Sequence, residues 1–162
     1  MEIKYLKLLQ DNPYEYPAAD ENNRYPIVSL SITEINDLET SFNNGLAFPL
    51  AVRELLYLAG KRCYALEYGY QGSIQKMQQD VRKFMQEWNR ELTRPFLVID
   101  VYNILDQFLF VFLEEGDDPV VYRAEYDPNH LPEGQWYEAM QPNLSTFINK
   151  KVQYVKAGGS AF

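Results

Sequence analysis

Apolar residues change their spacing along the chain, and each change predicts a different kind of element. From Phe96 to Tyr126 they run together, as Phe96-Leu-Val-Ile-Asp-Val-Tyr102, Gln107-Phe-Leu-Phe-Val-Phe-Leu113 and Val120-Val-Tyr-Arg-Ala-Glu-Tyr126. β-Branched and aromatic runs of this length, separated by turn residues, predict consecutive strands of a meander. The middle run has no polar residue between Phe108 and Leu113. Such a strand cannot leave one face in water, so it is expected at the centre of a sheet covered on both sides.

Elsewhere the spacing is helical. Ile32, Ile35, Leu38 and Phe42 recur at steps of three and four and predict a helix over 32–43. Ser31 and Glu34 have the spacing of a capping box, with Thr33 as an alternative cap, and Asn43-Asn44-Gly45 supplies a stop. Pro49 suits the first position of a second helix over 49–59, whose buried stripe is Val52, Leu55, Leu56 and Ala59, with Gly60 as its cap. Ser73 can cap a long helix over 73–92, where Ile74, Met77, Val81, Phe84, Met85, Trp88 and Leu92 form one apolar stripe. That stripe reads as core, which places Trp88 in the interior.

The remaining segments are shorter. Ile3, Leu6 and Leu9 predict a small N-terminal helix stopped by Asp11-Asn12-Pro13, followed by an extended wrap carrying Tyr14, Tyr16 and Tyr25. Lys61 to Gly72, with Tyr64, Tyr68 and Tyr70, reads as a short strand or an exposed aromatic loop. Gln135 to Met140 reads as a short strand or a helical turn. Asn143 or Ser145 can cap a last helix bearing Leu144, Phe147 and Ile148, and Val152 to Val155 either extends it or adds an edge strand. Residues 156–162 read as a frayed tail. The whole predicts one α+β domain over 1–162, with a mainly antiparallel sheet flanked by helices and residues 1–30 as an N-terminal helix and wrapping segment.

Length and composition agree: 162 residues, 46% hydrophobic and 15% aromatic, suffice for one core without staples. A single cysteine, Cys63, excludes an internal disulfide and suits a reducing compartment. The start lacks a signal-like apolar core, and no run is long enough to span a bilayer, so a cytoplasmic protein is expected. The net charge of −8 is unevenly spread, with ten acidic residues and one basic residue between Pro95 and Met140. Such a region repels nucleic acid and membrane phosphates and attracts a basic protein, while also serving solubility.

No catalytic motif is present. His130 is the one histidine and lies in a Pro-flanked loop without a nucleophile motif. Cys63 reads as a buried or half-buried thiol, and one Cys and one His cannot make a zinc site except with carboxylates. The turn Glu114-Glu-Gly-Asp-Asp-Pro119 lacks the alternating ligands of a calcium loop and reads as a hairpin in which Gly116 takes the unusual φ. No cofactor or metal is expected, and Gly69-Tyr-Gln-Gly72 is too short for a phosphate loop.

Ser31-Ile-Thr-Glu-Ile-Asn-Asp-Leu-Glu39, followed by Leu46-Ala-Phe-Pro-Leu-Ala-Val-Arg-Glu-Leu-Leu56, resembles the opening of the SUKH superfamily (Smi/Knr-like domains). Asp106-Gln107-Phe108, Gly116-Asp117 and Val120-Val121-Tyr122 resemble that family's later hairpin, Gly-Asp turn and Val-Tyr strand. Where the family commonly has Asn-Gly-Gly after its second helix, this chain has Ala59-Gly60-Lys61. The family includes bacterial toxin-immunity proteins and fungal cell-wall assembly regulators. The resemblance therefore implies a non-catalytic protein-binding domain, an immunity protein that neutralises a toxin of a class the fold does not fix, and the acidic excess suits a basic toxin domain such as a nuclease. An intracellular regulatory scaffold that binds a peptide or protein is the alternative, and an enzyme of unrecognised type comes after both. The residues expected to meet the partner are Glu114, Glu115, Asp117 and Asp118 at the acidic turn, with Tyr122 and Tyr126 as aromatic anchors if their register turns them outward.

Overall fold

A computed structural model of the chain describes residues 1–15, 26–66, 73–102, 105–126, 128 and 130–159. The three apolar runs form strands β1 (Phe96–Tyr102), β2 (Gln107–Phe112) and β3 (Val121–Glu125), joined by β4 (Tyr137–Gln141). Every neighbouring pair is antiparallel and the order is β1-β2-β3-β4, a plain meander. β2 is central, and Phe108 through Phe112 are all buried, as the unbroken apolar run requires. Alternation puts Phe108, Phe110 and Phe112 on one face of the sheet and Leu109 and Val111 on the other.

Five helices surround the sheet among the described residues: α1 (Lys7–Asp11), α2 (Ile32–Phe42), α3 (Leu50–Ala59), α4 (Ile74–Glu87) and α5 (Leu144–Lys156). The molecule is thus a single α+β domain. Ser31 and Glu34 close the capping box at the start of α2. Pro49 is the N-cap of α3 rather than its first helical residue. Asn143 caps α5 by accepting from the Thr146 N–H, and Val152 and Val155 continue that helix instead of making a strand. Of the segment Gln135 to Met140, the part from Tyr137 onward forms strand β4, and α1 is shorter than the periodicity suggested because only its last turn is helical. Gly60 ends α3 with an ordinary right-handed φ. Its small size matters for close approach: a Cβ there would lie 2.5 Å from the Leu56 carbonyl oxygen and 2.7 Å from Leu30.

The long helix is the largest departure from the pattern. α4 stops at Glu87, because Asn89 adopts φ 51°. The Arg90 N–H then donates to the Met85 carbonyl at 2.8 Å and the Asn89 N–H to Gln86 at 3.2 Å, the paired bonds of a Schellman stop. Trp88 therefore sits beyond the last turn and is 50% exposed, not in the core. Leu92 lies off the helix as well and is only partly buried.

Buried polar side chains hold backbone together. Gln78 on α4 bonds both backbone groups of Val98 on the outer edge of β1. Glu54 on α3 accepts from the N–H groups of Lys4, Tyr5 and Leu6, which docks the N-terminal segment. Glu39 accepts from the Phe48 N–H, and the Asn43 amide donates to Leu46 and Ala47, fixing the α2–α3 connection. α4 lies against the phenylalanine face, where the Tyr126 hydroxyl donates to the Val81 carbonyl. α5 covers the other face near Tyr102 and Gln141. Among the described residues no helix is long and apolar enough to cross a membrane. The expected wrap at Tyr16 and Tyr25, the strand or loop expected around Tyr68 and Tyr70, and the tail expected over 160–162 fall outside the described residues.

Candidate functional site

The acidic turn between β2 and β3 is a joint of the fold. Gly116 takes φ 82°, which turns the chain sharply between two carboxylate pairs. Before it, Glu114 and Glu115 both ion-pair with Arg94, whose guanidinium also lies 3.9 Å from the Phe112 ring centroid. These bonds, Glu114's above all, hold the Arg94 charge more firmly than usual. Glu115 additionally accepts from the Tyr122 hydroxyl at 3.0 Å. After the glycine, the Asp118 carboxylate accepts from Ser145 N–H at 2.9 Å and from Ser145 Oγ at 2.6 Å, at the start of α5. The Asp117 carbonyl receives the Ala51 N–H at the start of α3, and the Pro119 carbonyl that of Leu144. Two helix N-termini and one arginine thus absorb much of this turn's negative charge. Glu114 and Asp117 remain exposed, whereas Glu115 and Asp118 are tied into the structure.

The two tyrosines separate. Tyr122 is half-buried and packs on Phe110 and Phe112, with ring centroids at 5.4 and 5.1 Å. Burial first and the Glu115 bond second push its hydroxyl up. Tyr126 is buried at 2% exposure, so it cannot serve as an outward anchor. The chain turns it inward because its ring fills the space between Phe108, Phe84 and Trp136. Burial, followed by the negative charges of Asp106 and Glu87, pushes its hydroxyl up.

The structure brings together a group that the sequence did not single out. A cleft of about 210 Å³ is lined by Trp88, Asp106, Gln107, Glu125 and Tyr126. Trp88 stacks on Tyr126, with centroids 6.1 Å apart and planes at 20°. Asp106 is exposed at the start of β2 and forms no ion pair among the described residues. Glu125, at the end of β3, lies 3.4 Å from Arg123 Nε and 3.6 Å from His130 Nδ1. The signal in the sequence was Asn89: a residue tolerant of left-handed geometry, one position past Trp88, ends the helix and frees the indole.

Cys63 and His130 are far apart in role. The Cys63 thiol is buried and its pKa is pushed up to about 12, chiefly by desolvation. His130 is exposed, and its Nε2 lies 3.1 Å from Arg123 Nη2. A guanidinium only donates, so Nε2 is the acceptor in this contact, and Nδ1 lies toward Glu125. Arg123 also pairs with Glu138, which makes its guanidinium the cation shared by these side chains. Comparison of the chain with protein-family models, with curated proteins and with solved structures finds no match.

Proposed function

We propose that this chain is a protein-binding domain of the SUKH type, a cytoplasmic immunity protein that neutralises a basic toxin domain by covering it. The observation that carries this reading is the cleft at the end of the meander, where Asp106 and Glu125 flank a half-exposed indole. Carboxylates beside an aromatic surface suit arginine and lysine side chains of a protein partner. The acidic excess of the strand region favours the same class of partner and speeds its approach. The α+β sheet with flanking helices agrees with the architecture that the resemblance implies, although a fold does not by itself set a function.

The mechanism is occlusion. A stable complex buries about 800 Å² on each partner, enough for a domain of this size to block a toxin's active cleft without any chemistry of its own. The test is affinity capture from the source cells, followed by a growth assay. The captured protein is expected to be basic, to arrest growth when expressed alone, and to be harmless when this chain is co-expressed. A partner that is harmless alone would contradict the immunity reading and favour a regulatory scaffold.

A further inference from the structure

We propose that the cleft formed by Trp88, Asp106, Gln107, Glu125 and Tyr126 receives a single arginine side chain of the partner protein; this rests on the reading of the chain as a protein-binding domain. The cleft joins two features that seldom meet by packing alone. Trp88 gives one ring face to Tyr126 and leaves half of its surface to solvent. A large apolar ring left open beside a recess offers a platform for a planar cation. The second feature is charge: Asp106 is without an ion pair among the described residues, and Glu125 faces the same recess.

Among the described residues the nearby cations are engaged elsewhere. Arg90 donates through Nε and Nη2 to the Tyr126 carbonyl, at 3.2 and 2.8 Å, and its guanidinium lies toward Trp136. Arg123 and His130 approach Glu125 from the side of Glu138. None of them pairs with Asp106. A guanidinium laid against the exposed part of Trp88 reaches Asp106, and Gln107 and Glu125 line the same recess. Arginine is favoured over lysine because its flat, weakly hydrated head group both stacks and donates to two acceptors at once.

The test uses the full chain and Nα-acetyl-arginine amide, followed through the Trp88 indole N–H by two-dimensional NMR. Expected is a saturable shift of that signal, absent with the neutral isostere Nα-acetyl-citrulline amide and weaker with Nα-acetyl-lysine amide. Asp106→Asn, at an exposed position that leaves the fold intact, is expected to weaken the arginine analogue by about two- to fivefold, and Trp88→Ala to do the same when read on the Gln107 side-chain amide. No saturable shift, an equal response to citrulline, or an unchanged affinity in both variants would overturn the proposal, and tighter lysine binding would overturn the choice of arginine. A captured partner that binds parent and Trp88→Ala alike removes the cleft and leaves the binding-domain reading. Saturable arginine binding with no protein partner does the reverse.

Discussion

The side-chain amide of Gln78 on α4 occupies the place of a neighbouring strand for Val98 on β1: its Nε2 donates to the Val98 carbonyl at 2.7 Å, and its Oε1 accepts from the Val98 N–H at 2.9 Å. Val98 lies next to the irregularity in the β1–β2 register and faces outward from the sheet with both backbone groups. Gln78 is fully buried, so water cannot replace it. Arg82, one turn further along, seals the same edge through the Phe96 carbonyl. Gln78→Leu keeps the volume and leaves two buried backbone groups unpaired, with an expected loss of about 2–4 kcal/mol in denaturant unfolding. A loss under about 0.5 kcal/mol would show that another group takes over the edge.

Glu54 makes a comparable prediction for the N-terminus. Its carboxylate gathers the N–H groups of Lys4, Tyr5 and Leu6 from within a wholly buried side chain. Glu54→Ala is expected to cost about 2–4 kcal/mol, since hydrogen bonds to a charged group are lost together with their acceptor. Hydrogen exchange at the Leu6 amide is the direct readout, and undiminished protection there would contradict the assignment.

The stop of α4 is testable at Asn89. Its φ of 51° costs a residue with an ordinary Cβ about 1–2 kcal/mol. Asn89→Val is expected to destabilise by about that amount, whereas Asn89→Gly stays within about 0.5 kcal/mol of the parent. Trp88→Ala is expected to cost about 1 kcal/mol, the worth of an aromatic pair with Tyr126, and not the larger loss of a core truncation.

The Cys63 thiol gives a pH dependence with a definite sign. Its pKa is raised in the folded chain from 9.0 to about 12 by burial. Above pH 9 the unfolded chain releases a proton that the folded chain retains, so stability is complete below pH 9 and falls as pH rises toward 12. Cys63→Ala is expected to flatten that part of the profile in thermal or denaturant unfolding. A soluble thiol reagent at neutral pH should modify Cys63 only at the rate of local opening, and rapid labelling of the native chain would contradict its burial.

Much of the fold was legible because its signals are local. The apolar run of β2, the capping box at Ser31 and the cap at Asn143 each depend on residues within a few positions of one another. The end of α4 is not legible in the pattern because apolar periodicity continues through Trp88 to Leu92, and one backbone dihedral at Asn89 overrides it. The joint made by Asp118 and Ser145 depends on residues 27 apart in sequence, so the sequence shows an acidic hairpin there and not its tie to α5. Tyr126 faced the same problem of register, settled only by the packing of α4. The cleft was illegible for that reason: Trp88, Asp106 and Glu125 come from three separate elements.

The proposed immunity function requires that the acidic strand region receive a basic protein. Glu114 and Asp117 are the side chains to vary, because Glu115 and Asp118 hold Tyr122 and the start of α5. The decisive measurement is the association rate of the captured partner with the parent and with Glu114→Gln/Asp117→Asn, at about 0.05 M and about 0.5 M salt. The predicted result is a rate that falls at high salt and falls in the variant at low salt, with dissociation little changed, as charges at a rim act on encounter. An association rate equal at both salt concentrations and in both proteins would contradict the claim.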